Sequence, residues 1–449
     1  MAHEWPLVPL GTLLADVQSG FASGKHNSEG RGLPHFRPMN VSTDGVIDRS
    51  TMKYVDPSLA DKPERRLKAG DVLFNNTNSP ELVGKTAFFQ DNDEPAFSNH
   101  MTRIRCDSGR LDSRYLAARL HHAWREGWFA DHCNNHVSQA SIGRDVLKSF
   151  PIELPPVEVQ WAIARTLERA STLALSASSH MARARQRLQA VRRAILAAAC
   201  MGGLTADWRE EHPEAPSLEH ALSQLQTRTR RRTREAEVEL SLPELPATFA
   251  LTTLGDVAEV LEYGTSKRCH GAPSTGVPVV RMGNIQNGRL DLDDLKYCEP
   301  DDELERLMLG KGDLLFNRTN SPELVGKSAV FTAEEPMSFA SYLIRVRFMD
   351  TFALPEFVNY WLNSAWGREW AQLVKTDGVS QSNINGTKLA LMPLPLPPLE
   401  EQHVIVERAS AALETAGRTL DRAAAGRRML EGAWRAVFAK AFRGELVPS

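Results

Sequence analysis

Residues Gly84, Lys85 and Thr86 have the type and order of the end of a phosphate-binding loop, and Gly326, Lys327 and Ser328 repeat them. A working loop of that kind reads GxxxxGK[ST], because its glycines let backbone N–H groups turn towards a phosphate. Here the first glycine falls on Ser79 and Ser321, and Pro80 and Pro322 follow. Proline removes an N–H from a loop whose task is to donate N–H groups. The flanks read strand, loop, strand, so a nucleotide site is excluded. Asp71, Glu81 and Lys85, repeated as Asp313, Glu323 and Lys327, carry the residue types of a metal-dependent nuclease. Their spacing is E-x3-K instead of the usual E-x-K, and a charge-paired structural loop is the simpler reading. No glycine-rich cofactor loop and no D/N-P-P-aromatic corner of a methyltransferase occurs. His121, His122, His132 and His136 lack ligand spacing and read as helix-surface or core histidines. Catalytic and metal-binding constellations are therefore not expected. A stand-alone nuclease or NTPase using the ELVGK loop, and a protein-only adaptor, are the alternatives to a binding role.

What remains is hydrogen-bonding chemistry on loops. Asn76 or Arg318, then Thr77/Thr319, Asn78/Asn320, Ser79/Ser321 and Lys85/Lys327 form one polar loop. Ser138/Ser380, Gln139/Gln381 and Ser141/Asn383 form a second. Such groups suit phosphates and base edges. His100 and Tyr342, Lys25, Arg37 and Asn40, and Lys267, Arg268, Arg281 and Asn284 complete the DNA-binding candidates. Positions identical in both copies are expected to pack or to grip phosphate. Positions that differ (Asn76 against Arg318, His100 against Tyr342, Ser141 against Asn383) are expected to choose bases. An arginine suits guanine and an asparagine adenine.

These pairs exist because the chain is written twice. Residues 70–89 and 312–331 agree at 16 of 20 positions, at an offset of 242. The offset holds downstream, where "LPPVEVQ" at Leu154 matches "LPPLEEQ" at Leu396. It becomes 244 upstream, where Leu10-Gly11 matches Leu254-Gly255. A repeat of this length defines the architecture before any motif does. Each copy is a globular α+β part followed by a helical part. "GDVLFNN" and "GDLLFNR" read as a turn and strand, "TAFF" and "SAVF" as strands. "HMTRIRC" and "YLIRVRF" alternate as half-buried strands do. Val157 to Cys200 holds 44 residues without proline or glycine, enough for a helix of about 65 Å. The second copy runs from Leu399 towards Phe442, interrupted by Gly417, Gly426 and Gly432. Apolar stripes on both predict an antiparallel helix pair related by an internal two-fold. Trp161, Leu167, Leu188, Val191, Ile195, Val404, Leu413, Leu420, Trp434 and Phe438 are the candidates for that pairing and for docking partners.

The expected segments are 1–155, a first globular domain; 156–204, a first helix; 205–246, a linker with a charged helix; 247–397, a second globular domain; and 398–449, a second helix. The linker's run Arg228, Arg230, Arg231, Arg232 and Arg234 precedes Glu235, Glu237 and Glu239, which reads as a solvated charged helix. The 449 residues carry a net charge of −3 and an isoelectric point of about 6.5. A lone nucleic-acid binder is usually more basic, so if the chain binds DNA, either its basic groups are local or partners supply some of the phosphate contacts. Cys106, Cys133, Cys200, Cys269 and Cys298 are scattered without CxxC, as expected of reduced thiols in a cytoplasm. No run is long and apolar enough to span a membrane, and "MAHEWPLVPLGTLL" lacks a basic stretch followed by a long apolar one, so a secretory signal is not expected.

The chain resembles the specificity subunit of type I restriction-modification enzymes over essentially its whole length. The resemblance rests on the openings "WPLVPLGTLL" and "FALTTLGDVAEV", on "GD-[VL]-LF" with "TNSPELVGK", on "LPLPPLEEQ" before a long helix, on the ending "AFRGEL", and on the central "LTADWREEHP". It implies two target recognition domains, each reading half of a split DNA sequence, with an antiparallel coiled coil setting the gap. It further implies two docked methyltransferase subunits carrying S-adenosylmethionine. Restriction subunits with ATP and Mg would join where present. On this reading the chain itself has no cofactor and no active site.

Overall fold

The computed structural model describes residues 5–135, 139–215, 218–219, 222, 240–270 and 276–446. His136, Ser138 and the arginine run 228–234 with its glutamates lie outside them. The chain forms two compact units, residues 1–182 with 424–449, and residues 183–423. These units cut across the expected segments, since each divides both long helices.

Each unit is built on the same four-stranded antiparallel sheet. In the first its order is Leu14–Ser19, Met101–Cys106, Val72–Asn75, Thr86–Phe88. In the second it is Ala258–Tyr263, Leu343–Phe348, Leu314–Asn317, Ser328–Val330. A three-stranded sheet with one parallel pair accompanies it, Lys53–Val55, Leu33–Phe36, Ala96–Phe97 in the first unit. Its counterpart is Lys296–Cys298, Val277–Val280, Ser338–Phe339. The α+β class expected from the sequence is what the duplicated units have.

The alternating strands are not half-buried. Arg103 and Arg345 are only 1% and 5% exposed. Arg103 is paired with Asp16 and donates to the carbonyls of Glu64 and Arg66. Arg345 is paired with Glu262 and donates to the Met308 carbonyl. A buried guanidinium is tolerated because its charge is paired and its N–H groups are used. Arg103 and Arg345 are therefore internal struts, whereas Arg105 is half-buried and Arg347 exposed. Asp71 and Asp313 hold Arg105 and Arg347 in the same way, with Nε to carboxylate distances of 2.6 and 2.8 Å.

The two long helices run Val157–Cys200 and Leu399–Phe442. The second passes through Gly417, Gly426 and Gly432 without a break. Helical glycine costs about 1 kcal/mol against alanine, and packing does not require it here: a Cβ on Gly426 would lie 3.4 Å from Met181 Cε, and one on Gly432 would meet nothing within 4 Å. In the first unit Ile163, Ala164 and Leu167 share a core with Trp434, Phe438, Ala441 and Phe442. In the second, Leu196, Ala199 and Cys200 share a core with Ile405, Ala409 and Leu413. The start of one helix lies beside the end of the other in each unit, so the pairing is antiparallel. Leu167, Leu413, Trp434 and Phe438 are buried, and Leu188, Ile195, Val404 and Leu420 half-buried. Trp161 and Val191 are 44% and 48% exposed, so they are not helix-pairing residues. Beside Trp161 the buried stripe runs through Gln160 and Ile163, and beyond Val191 it resumes at Leu196.

Repeated "PPxExQ" wording has a mechanical purpose. Gln160 Oε1 accepts from the Asp112 N–H at 2.8 Å, and its Nε2 donates to Arg110 and Pro155 carbonyls. Gln402 does the same with Leu354, Phe352 and Pro397. Each glutamine thus rivets the first turn of a long helix to its own domain. In the second unit Glu401 adds bonds from Thr205, Thr248 and Arg209.

One expectation fails outright. Cys269 and Cys298 form a disulfide, 29 residues apart in sequence, with S–S 2.07 Å; the free cysteines are Cys106, Cys133 and Cys200. Pairing of Val277 with Cys298 folds the preceding chain back onto the strand, a proximity that sequence spacing conceals. No helix among the described residues is long and apolar enough to cross a membrane.

Candidate nucleic-acid interface

The ELVGK loop is a packing device. Gly84 has φ +95°, and a Cβ there would strike the Phe129 ring at 2.5 Å. Gly326 has φ +86°, with Ala371 Cβ at 2.7 Å. The Gly84 N–H is already given to the Asn75 carbonyl at 2.8 Å, and the Val83 N–H to Ser79 at 2.9 Å. No cradle of free N–H groups is left for a phosphate. Lys85 is 5% exposed and its Nζ donates to the Val41 carbonyl at 2.5 Å. Lys327 is half-buried, donating to Ile285 at 3.0 Å. Burial lowers the pKa of both lysines. The expectation that these lysines contact DNA is corrected: they tie a neighbouring segment to the sheet. The nuclease-like trio disperses as well, with Asp71 on Arg105, Lys85 on Val41 and Glu81 on the surface. Among the described residues no histidine, cysteine and carboxylate cluster could hold a metal.

Several other candidates are also internal. Asn40 and Asn284 are 0% and 4% exposed, each accepting from the backbone of Arg37 or Arg281 and donating to carbonyls. Arg37 donates to Thr51, and Arg281 pairs with Asp294. Asn78 and Asn320 accept from the N–H of Ser79 and Ser321, closing turns. Lys267 is paired with Asp301 and Glu303. Lys25 and Arg268 are exposed. Of the histidines, His121 and His122 are core residues, and His132 stacks on Trp128 at 4.0 Å.

The two polar loops do meet. Thr77–Asn78 pairs antiparallel with Ala140–Ser141, which pairs in turn with Asn134–Asn135. The second unit repeats this with Thr319–Asn320, Ser382–Asn383 and Thr376–Asp377. The differing positions converge on one corner of this small sheet. Asn76 donates its N–H to the His100 carbonyl and accepts from Ile142, the residue after Ser141. Arg318 donates to the Tyr342 carbonyl and accepts from Ile384, the residue after Asn383. Beside that corner the hairpin tip, with Ser380 and Gln381, is exposed, as is Gln139 in the first unit.

The two corners differ chemically. Asn76 Nδ2 is fixed by Thr102 Oγ1 at 2.9 Å, with Asn99 O at 3.3 Å. The Arg318 guanidinium lies over the Tyr263 ring, Cζ 4.8 Å from its centroid, and reaches Asn383 Oδ1 at 3.3 Å. Tyr263 was not among the sequence candidates. The duplication carried only a weak signal for it: Ser19-Gly20 and Tyr263-Gly264 align at the 244 offset, but the residues around the shared glycine differ as well.

The chain matches the model of the type I restriction modification DNA specificity domain twice, over residues 23–177 and 246–416. It is 25% identical over 429 residues to the specificity subunit of the type I restriction enzyme EcoKI of Escherichia coli K12, which covers 92% of this chain and 82% of that protein. Identity to the EcoBI specificity subunit of Escherichia coli is 23% over 443 residues, covering 96% and 84%. A solved chain from work on complex assembly and conformational transition of the type I R-M system shares the fold, with a TM-score of 0.62 over 99% of this chain and 100% of that one, at 17% identity. With two matched segments spanning more than half of its length, the protein belongs to the type I restriction modification DNA specificity family.

Proposed function

We propose that each unit reads one half of a bipartite DNA target through the small three-stranded sheet, while the paired helices set the gap and dock two methyltransferase subunits. The observation that carries this reading is the convergence of the differing positions. Asn76, His100 and Ser141 gather at one corner, Arg318, Tyr342 and Asn383 at its counterpart, on scaffolds otherwise built alike. A protein that must recognise two different short sequences needs that arrangement: a constant frame with variable hydrogen-bonding groups at one edge. Exposed Trp161 and Val191 suit docking better than helix pairing. The chain acts without an active site of its own, in a cytoplasmic complex. S-adenosylmethionine comes with the methyltransferases, ATP and Mg with restriction subunits where they join, and the partners share the phosphate contacts that a nearly neutral chain lacks.

A helix pair is stiff enough to hold two readers about one turn of DNA apart, roughly 34–36 Å. Co-expression with the partner methyltransferase and methylome sequencing should give one bipartite motif with a constant gap. Inserting four residues in register into both helices should change that gap. An unchanged gap would remove the ruler from the proposal, and methylation by this chain alone would remove the non-catalytic assignment.

A further inference from the structure

The geometry points to Tyr263 as the positioning residue that fixes Arg318 to read a guanine in the half-site of the second unit, an inference resting on the DNA-specificity reading above. Tyr263 ends the strand Ala258–Tyr263, in register with Ile344. Its hydroxyl accepts the N–H of Gly386 at 2.7 Å. Anchored by the strand at one end and by that bond at the other, the ring cannot swing away. It remains 43% exposed and presents a face to the guanidinium.

Arg318 is then held from three sides. Its Cζ lies 4.8 Å from the Tyr263 centroid, Nη1 donates to the Ser341 carbonyl at 3.4 Å, and Nη2 to Asn383 Oδ1 at 3.3 Å. Asn383 is itself fixed by donating to Thr319 Oγ1 at 2.7 Å. Those two bonds leave one N–H on each of Nη1 and Nη2. Guanine offers O6 and N7 as paired acceptors in the major groove, and an arginine fork matches them. A free arginine would lose much rotamer freedom on binding; a stacked one has already lost it. The first unit shows the converse. Where Arg318 is replaced by Asn76, Ser19 stands in place of Tyr263, and the short amide is fixed by Thr102 without any ring. Ring and arginine come together and are absent together.

The test uses the full chain co-expressed with its methyltransferase, with methylated sites mapped for Tyr263→Phe, Tyr263→Trp, Tyr263→Leu and Tyr263→Ser. The phenylalanine and tryptophan variants keep a π face on the strand but lose the bond to Gly386, so they should keep the guanine and relax it less than leucine or serine does. The leucine and serine variants should lose roughly 2- to 30-fold of the preference for guanine at one position, with the first half-site and the gap unchanged. Wild-type preference in the leucine and serine variants would overturn the proposal. So would relaxation by tryptophan equal to that by leucine, or loss of methylation at both half-sites in the leucine and serine variants, which would mark a merely structural role. Failure of the specificity reading looks different: the unaltered chain would then yield no bipartite motif.

Discussion

The corner occupied by Asn76 in one unit and by Arg318 in the other has the same backbone and different chemistry. Both residues donate to the carbonyl of the residue at the foot of the neighbouring strand, and both accept from the residue after the small-sheet strand. Yet one side chain is a short amide on a threonine, the other a guanidinium stacked on a tyrosine. Lys85 and Lys327, in contrast, are the same residue with the same internal task, a bond to a backbone carbonyl across the domain. Identity between the copies at Lys85 and Lys327 thus goes with an internal task, and the proposal above assigns reading to the corner where the copies differ. The two copies also differ around their three-stranded sheets. His26 and His35 meet there in the first unit, with ring nitrogens 3.1 Å apart, and the Cys269–Cys298 disulfide ties the second.

The largest effect is expected where the two corners differ most. Arg318→Asn should change the base read at one position of the second half-site, by about 1–3 kcal/mol of discrimination, and leave the first half-site intact. Methylome sequencing checks this; both half-sites persisting at full efficiency would show that Arg318 is no reader. A middle-sized difference should appear in acid. Burial, with smaller contributions from His26 and Arg125 respectively, lowers the pKa of His35 to about 4 and of His121 to about 3. Val279 and Asn363 stand at the matching positions of the second copy. A histidine kept neutral by the fold contributes stability that is complete above its unfolded value of about 6.5. That stability drains as pH falls towards the folded values, because the unfolded chain takes up protons that the folded one refuses. Each histidine can contribute up to ~1.4 kcal/mol per pH unit. Hydrogen exchange from pH 7 to 4.5 should therefore show the first unit loosening before the second, and His35→Val with His121→Asn should flatten its response. Equal acid sensitivity of the two units in the unaltered chain would count against this. The smallest effect on DNA binding is expected from Lys85→Met and Lys327→Met. Removing a phosphate contact lowers the salt slope by about one; here the slope should not move, whereas a reduced slope would return these lysines to the interface.

Much of this was legible because repetition in sequence is repetition in architecture. The helix limits Val157–Cys200 and Leu399–Phe442 follow from prolines before and glycines after runs that favour helix, a local signal. The differing pairs Asn76/Arg318, His100/Tyr342 and Ser141/Asn383 could be named by aligning the copies. What escaped was direction. Arg103 and Arg345 alternate with apolar residues as if facing water, yet they point inward, because Asp16 and Glu262 from the adjacent strand neutralise them. Trp161 and Val191 fit a helical period and face outward, because period alone does not fix the phase of the buried stripe.

By itself, then, the sequence determined the duplication, the element types, the long helices and the absence of a phosphate-loop glycine at Ser79 and Ser321, all of them local or self-referential properties. Tertiary structure alone decided that Lys85 is a strut, that Cys269 meets Cys298, and that Tyr263 lies under Arg318. Those outcomes depend on which distant segments are brought within a few ångströms, and burial and hydrogen-bond partners exist only once the chain has closed on itself.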